Sequence, residues 1–281
     1  MRWDFKTAQQ HTSWDEMLAV WNVADELDVY TAGWTFDHFY PIFSDSSGPC
    51  FDGWVALSAL AQATTRLRLG VMVTGTVYRH PAVLANMATT VDHLSHGRLE
   101  LGLGTGWNDE ECVAYGIEFG SLGERFDRFD EACRVIVSLL TNELTDFRGA
   151  YYSLRSARCE PKPVQRPHPP ICIGGTGERR TLRAVARWAQ HWNLPNASVD
   201  EFVHKRHILH EHCAAIGRDP AEIIMSTQFR LPPNGDVSPL VDQAAGLAEA
   251  GLDSGIIRLE PPFDPGQLET VASALRTHDL M

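Results

Sequence analysis

One pattern runs through almost the whole chain and limits what it can become: a short strand of alternating apolar residues, a loop, then an amphipathic helix. The first strand is expected over residues 2–8. Ser13-Trp14-Asp15-Glu16 reads as a capping box that opens a helix with Trp14, Met17, Leu18 and Trp21 on its apolar face. Further strands are expected at 30–36, 66–74, 99–104, 171–173, 191–194, 223–229 and 255–259. Further helices are expected at 53–64, from Pro81 through Leu94, at 122–141, 178–189, from the Ser198–Glu201 capping box, at 240–250 and at 267–275. Strands that alternate with helices imply a parallel sheet. About eight such units in 281 residues, with no shift in composition to mark a boundary, favour one closed barrel over an open doubly wound sheet. The expected fold is therefore α/β, a (β/α)8 TIM barrel forming a single domain over 1–281. Insertion segments follow strands two (the polar loop 41–49) and four (a hairpin near 146–152 and a Pro-rich traverse at 161–170).

Barrel chemistry gathers where strands end. Five strand ends carry informative residues: Asp37-His38, Met72-Val73-Thr74, Gly104-Thr105-Gly106-Trp107-Asn108, Gly174-Gly175-Thr176-Gly177 and Trp192-Asn193. A histidine at a strand end can exchange a proton near neutral pH, and the plainer reading of His38 is a loop histidine bonded to backbone. Gly174–Gly177, between strand and helix and followed by Arg179, Arg180 and Arg183, suits a phosphate, or is simply a tight turn before a solvated basic face. Leu99–Asn108 taken alone also fits the acidic-x-Gly-x-Gly-x-Gly loop of an AdoMet-dependent methyltransferase. That reading wants a helix straight after the loop, where this chain runs into Asn108-Asp109-Glu110-Glu111.

Other classes fall away on composition. The formal net charge of −12 argues against nucleic acid as a partner. No apolar run approaches the ~20 residues of a membrane helix, and the first residues lack the apolar region of a signal peptide, so a cytoplasmic protein is expected. Six scattered cysteines without a Cys-x-x-Cys pair read as reduced, mostly buried thiols. His204, His207, His210 and His212 read as a solvated helix face, and no metal site is expected. Arg68 and Glu100, in equivalent places on adjacent strands, are expected to form a structural ion pair inside the barrel.

Several segments taken together resemble the luciferase-like monooxygenase superfamily, most of all its branch using the deazaflavin coenzyme F420. They are Trp34-Thr35-Phe36-Asp37-His38, Arg68 to Gly75, Tyr78-Arg79-His80-Pro81-Ala82, Gly97 to Asn108, Gly123-Glu124-Arg125-Phe126-Asp127-Arg128 and Pro169 to Gly175. The likeness covers most of residues 1–195 and fades toward the C-terminus. It implies a (β/α)8 barrel, usually a homodimer, with F420 (FMN in a close rival) lying over the mouth. It implies a cis peptide at Met72–Val73 propping the ring, with Thr74 beside it. His38, next to Asp37, is implied as the proton donor or acceptor. Thr105, Gly106, Trp107 and Asn108 are implied along the cofactor, and Gly174, Gly175, Thr176, Gly177 and Glu178 at its phosphate. Trp107 stands where a sugar-phosphate-oxidising branch has a catalytic Glu. A small apolar or aromatic substrate therefore fits Trp34, Phe39, Tyr78 and Trp107 better, and Gln228, Arg230, Arg258 and Glu260 are expected to help define it. The rival readings are an FMN-dependent monooxygenase, the methyltransferase, and a flavin-binding barrel without catalysis.

Overall fold

Why the strands close into a ring is visible in their alternation. In β1 (Arg2–Thr7), Trp3 and Phe5 pack outward into the core shared with the helices, while Asp4 and Lys6 face the other way. The computed structural model describes residues 1–231 and 235–281. It continues with β2 (Tyr30–Thr35), β3 (Arg68–Val71), β4 (Leu99–Gly104), β5 (Ile171–Gly174), β6 (His191–Leu194), β7 (Ile224–Arg230) and β8 (Ser254–Leu259). All neighbours are parallel. β1 pairs with both β2 and β8, and Leu69↔Leu99 and Gly70↔Glu100 join β3 to β4 and close the barrel. This is the (β/α)8 barrel expected, and a closed parallel barrel leaves no place for the open methyltransferase sheet.

The helices cover the outside of the ring. They are α1 (Trp14–Glu26), α2 (Gly53–Ala63), α3 (Pro81–Leu94), α4 (Asp109–Ala114), α5 (Leu122–Thr141), α6 (Thr181–Trp188), α7 (Val199–Ala214), α8 (Ser238–Glu249) and α9 (Gly266–Thr277). Ser13 and Ser121 close capping boxes with Glu16 and Glu124. Two details differ from the sequence reading. A short helix, α4, does follow the Gly104–Asn108 loop, because the Asn108 side chain accepts from Glu111 N and caps it. And α6 starts at Thr181, three residues late, since Glu178–Arg180 forms a turn. Between β4 and β5 lie α4, α5 and a hairpin, Thr145–Arg148 against Ser153–Ala157.

Two layers fill the barrel interior. Toward the N-terminal ends of the strands lies a polar floor. Glu100 Oε1 accepts from Arg68 Nε at 2.9 Å, Glu100 Oε2 lies 3.0 Å from His191 Nδ1, and His191 Nε2 lies 2.7 Å from Ser226 Oγ. Above it, Ala32, Trp34, Met72, Cys172 and Ile256 form an apolar plug. β3 breaks at Met72–Val73, whose peptide is cis, and the chain rejoins β4 through Thr74↔Leu103 and Gly75↔Gly104. The six cysteines are free, five of them buried. No described helix is long and apolar enough to cross a membrane.

Candidate active site

A cavity of about 680 Å³ opens over the C-terminal ends of the strands. Its floor is the break in β3. Val73 fills the space that a side chain at Gly104 would need, since a Cβ there would stand 2.7 Å from Val73 Cγ2, while a Cβ on Gly102 would meet the Val71 carbonyl at 1.8 Å. Gly106 holds a φ of +81°, in the left-handed region, and a Cβ there would meet Val77 at 2.7 Å. These glycines make room for Val73, which lines the cavity, and for Val77 behind the loop.

His38 lines one side. Its Nδ1 lies 2.7 Å from Glu111 Oε2, and Glu111 also accepts from Phe39 N at 2.5 Å and from the Tyr78 hydroxyl at 2.8 Å. Burial pushes the Glu111 carboxyl upward, but the hydrogen bonds from His38, Phe39 and Tyr78 outweigh it and hold the group below its ordinary value. An ionised Glu111 can only accept, so the proton sits on His38 Nδ1. Among the described residues Nε2 then has no protein partner, and it is free to take or give a proton. Trp107 and Phe36 flank the ring at 5.5 Å and 5.0 Å between centroids.

Met72, Val73, Thr105, Gly106, Trp107, Gly174, Gly175, Thr176 and Gly177 all line the same cavity as His38. Four other expected residues do not. Asp37 is buried and turned to Arg79, whose guanidinium grips it with contacts of 2.5 and 2.9 Å. Burial raises its carboxyl, with Arg79 pulling the other way. Thr74 accepts from Trp54 Nε1 at 2.8 Å inside the wall. Asn108 is spent on capping α4. Glu178 lines a neighbouring groove with Arg179, Arg180 and Lys205, and is bound by Lys205 and His204. The two spaces share Leu122, Phe126, Thr176 and Gly177, so they are continuous around the Gly-rich loop. Among the described residues no side chain caps α6, and the Leu182 N–H in its first turn donates to Gly177 O of that loop at 3.0 Å.

The substrate wall also changes. Trp34 is sealed in the plug with Nε1 on Asp4, and Phe39 packs on Tyr78 and Tyr115 away from the cavity. Tyr78 and Trp107 remain, joined by Phe43, which stacks on Trp107 at 5.4 Å with the planes 5° apart. Of the C-terminal strand ends, Gln228 and Arg258 reach the cavity. His204 and His212 bind Glu178 and His207 pairs with Glu211, and the described residues hold no metal-ligand cluster.

Glu111 and Lys6 escaped the sequence reading. Glu111 follows two acidic neighbours and looks like solvated charge, whereas its partner His38 lies 73 positions earlier. Lys6 left a signal: it shares the inward face of β1 with Asp4, between outward Phe5 and Thr7.

The profile of the luciferase-like monooxygenases matches residues 3–255. This chain belongs to that family. An uncharacterised protein of Mycobacterium tuberculosis is 34% identical over 221 residues, covering 76% of this chain and 73% of its own. The F420-dependent glucose-6-phosphate dehydrogenase of Microbacterium testaceum is 28% identical over 244 residues, 85% of this chain and 70% of that protein. Among solved structures, an F420-dependent secondary alcohol dehydrogenase in complex with an F420–acetone adduct superposes with a TM-score of 0.84 at 16% identity, covering 96% of this chain and 98% of that one. The family is one of monooxygenases and the Microbacterium relative is an oxidoreductase, and this luciferase-like barrel is an enzyme of that broad class.

Proposed function

We propose that this chain moves a hydride between coenzyme F420 and a small, apolar or aromatic organic substrate, with His38 as the proton donor or acceptor. The observation that carries the reading is the His38–Glu111 pair beside the Val73 floor and the Gly-rich walls. The residues fit a flat, anionic cofactor. Val73 and Gly104–Gly106 would lie along its ring, and Gly174–Gly177, at the turn into α6, would meet its phosphate. Bound there, the deazaflavin would supply the hydride chemistry.

The protein's own contribution is positioning and proton transfer. Glu111 fixes the tautomer of His38, so Nε2 takes the proton of a substrate alcohol in one direction and returns one in the other. The relatives named for F420 support this cofactor. Trp107, where the resemblance expects a catalytic Glu for sugar phosphates, argues for a different substrate from that of the Microbacterium enzyme.

Titrating the apo protein with F420 and with FMN, followed by fluorescence, tests the cofactor. Saturable binding of F420 at micromolar concentration with no binding of FMN is expected. The reverse preference would turn the reading to an FMN-dependent monooxygenase. Binding without turnover on any alcohol, carbonyl or imine, with His38 dispensable, would leave a non-catalytic flavin-binding barrel.

A further inference from the structure

The cavity has a second polar side, opposite in character to the His38 wall. Lys6 and Arg258 are direct register partners on β1 and β8, and both line the cavity. Arg230 is the partner of Arg258 on β7, so three cations stand in a row across three adjacent strands. Like charges directly opposite one another on a sheet are destabilising. One carboxylate faces this row: Glu260 Oε1 lies 2.8 Å from Arg258 and 3.6 Å from Arg230, and it accepts no hydrogen bond of good geometry. Lys6 spends one donor on Met72 O at 3.2 Å, the carbonyl at the break in β3. Its other donors have no protein partner among the described residues.

The contrast with the rest of the molecule is sharp. The chain carries a formal charge of −12, yet the described residues lining this cavity include Lys6, Arg125 and Arg258 and no Asp or Glu. Arg125 sits on α5 beside Leu122 and Phe126, at the Gly174–Gly177 end where a cofactor phosphate is read. Lys6 and Arg258 have no such assignment. Two adjacent cations at the end of a hydride-transfer cavity leave an unmet demand for negative charge.

We propose that Lys6 and Arg258 form an anion subsite that takes a carboxylate group of the substrate. The proposal rests on the oxidoreductase reading above and narrows its substrate to an organic acid. The acid's apolar or aromatic body would lie toward Trp107 and Phe43, and its reacting carbon toward His38. A carboxylate has two oxygens, one for the Arg258 fork and one for the Lys6 ammonium, and charge-assisted bonds of this kind are the stronger ones. Burial and the field of Arg258 draw the Lys6 ammonium down to about 8, as expected of a cation row with too little negative charge beside it. A bound carboxylate would reverse that pull.

The test uses three acids, benzoate, phenylacetate and butyrate, each against its own amide. Binding is measured by calorimetry to the apo and the F420-loaded protein. At least one acid is expected to bind about tenfold more tightly than its amide, the scale of one charge-assisted contact. Lys6→Met and Arg258→Gln should each abolish that preference, Lys6→Arg should keep it, and Arg155→Gln, on the exposed hairpin, should leave it unchanged. Circular dichroism confirms that each variant is folded, and Arg258→Gln carries the test if Lys6→Met is not. Equal binding of acids and amides, or a preference that survives both substitutions, overturns the proposal. So does a tenfold tighter binding of glucose 6-phosphate than of any acid, which would make this a phosphate site. Loss of F420 affinity in the two variants without loss of acid binding would hand the pair to the cofactor and overturn it as well. A wild-type protein that binds no F420 refutes the oxidoreductase reading separately, because the acid preference of the apo protein is still measured.

Discussion

This barrel holds two buried histidine–carboxylate pairs of almost the same geometry. At the mouth, His38 Nδ1 meets Glu111 at 2.7 Å, and at the floor His191 Nδ1 meets Glu100 at 3.0 Å. What differs is the other nitrogen. His191 Nε2 lies 2.7 Å from Ser226 Oγ beneath the Trp34 plug, so the ring is held from both sides. His38 Nε2 is left without a protein partner among the described residues, in the wall of the cavity. A histidine–carboxylate pair is thus not a catalytic signature in itself. One pair is spent on the fold, and the other keeps one nitrogen in reserve.

Breaking the floor pair should have the largest effect, and it should fall on stability. Removing one partner of a buried ion pair leaves the other uncompensated, at a cost of about 3–5 kcal/mol. His191→Ala should therefore lower the unfolding free energy by that order in denaturant titration, while the molecules still folded bind F420 normally. The pair also gives a pH signature. Burial opposes charge on His191, but the Cys172 sulfur and Glu100 outweigh it and raise the ring to about 10. A group raised on folding stabilises fully below its unfolded value, about 6.5, and loses that contribution as pH climbs through about 10. Glu100 is the mirror case. Burial raises its carboxyl, but His191, Arg2 and Arg68 hold it well below the ordinary range, so its contribution fades as pH drops below about 4.5. The wild type's advantage in Tm over His191→Ala should be widest between these limits and shrink toward pH 10. A gap that stays constant from pH 6 to 10 would mean His191 is neutral in the folded protein.

The mouth pair should show the opposite split. His38→Ala should cut turnover by about 100-fold or more, close to 2.7 kcal/mol, with F420 affinity little changed and a smaller loss of stability than His191→Ala, because Phe39 N and the Tyr78 hydroxyl still hold Glu111. Unchanged turnover would erase the distinction between the two pairs. Glu111→Gln is the finer probe. It keeps the shape but offers an amide N–H or a weaker acceptor to His38 Nδ1, so a fall in kcat of about tenfold is expected with cofactor binding intact. If Glu111→Gln instead costs stability on the scale of His191→Ala, Glu111 belongs with the floor pair as a structural carboxylate.

The sequence showed part of each pair, Glu100 at the floor and His38 at the mouth, and neither partner, for physical reasons. Arg68 and Glu100 were visible because they lie on the inward face of adjacent strands, although the register sets Glu100 opposite Gly70 and Arg68 reaches it across a diagonal. The ring of strand ends was visible because alternation and glycine-rich exits are local signals, and His38 stood at one of them. Glu111 was hidden because its meaning depends on a contact spanning 73 positions, and its own neighbourhood looks like solvated charge. Trp34 was misplaced for a related reason. Alternation assigns it to the inward face of β2, but only the closed ring packs it against Met72 in the plug and not in the cavity.

The smallest effect should come from the aromatic pair that replaces Trp34 on the substrate wall. Trp107 stacks on Phe43 and stands edge-on to His38 at 5.5 Å, and both Trp107 and Phe43 are well exposed. An aromatic contact of this kind is worth about 0.5–1.5 kcal/mol beyond its buried area, which is roughly two- to tenfold in affinity. Trp107→Leu should raise KM for an aromatic substrate by that factor and leave kcat within about twofold, because leucine keeps the wall apolar without the stack. Phe43→Leu should do the same, and the double variant should cost less than the two singles together, since each ring loses the same partner. A fall in kcat comparable to Glu111→Gln would carry a different meaning. Trp107 would then be holding the His38 ring, and the mouth pair would depend on an aromatic support as the floor pair depends on Ser226.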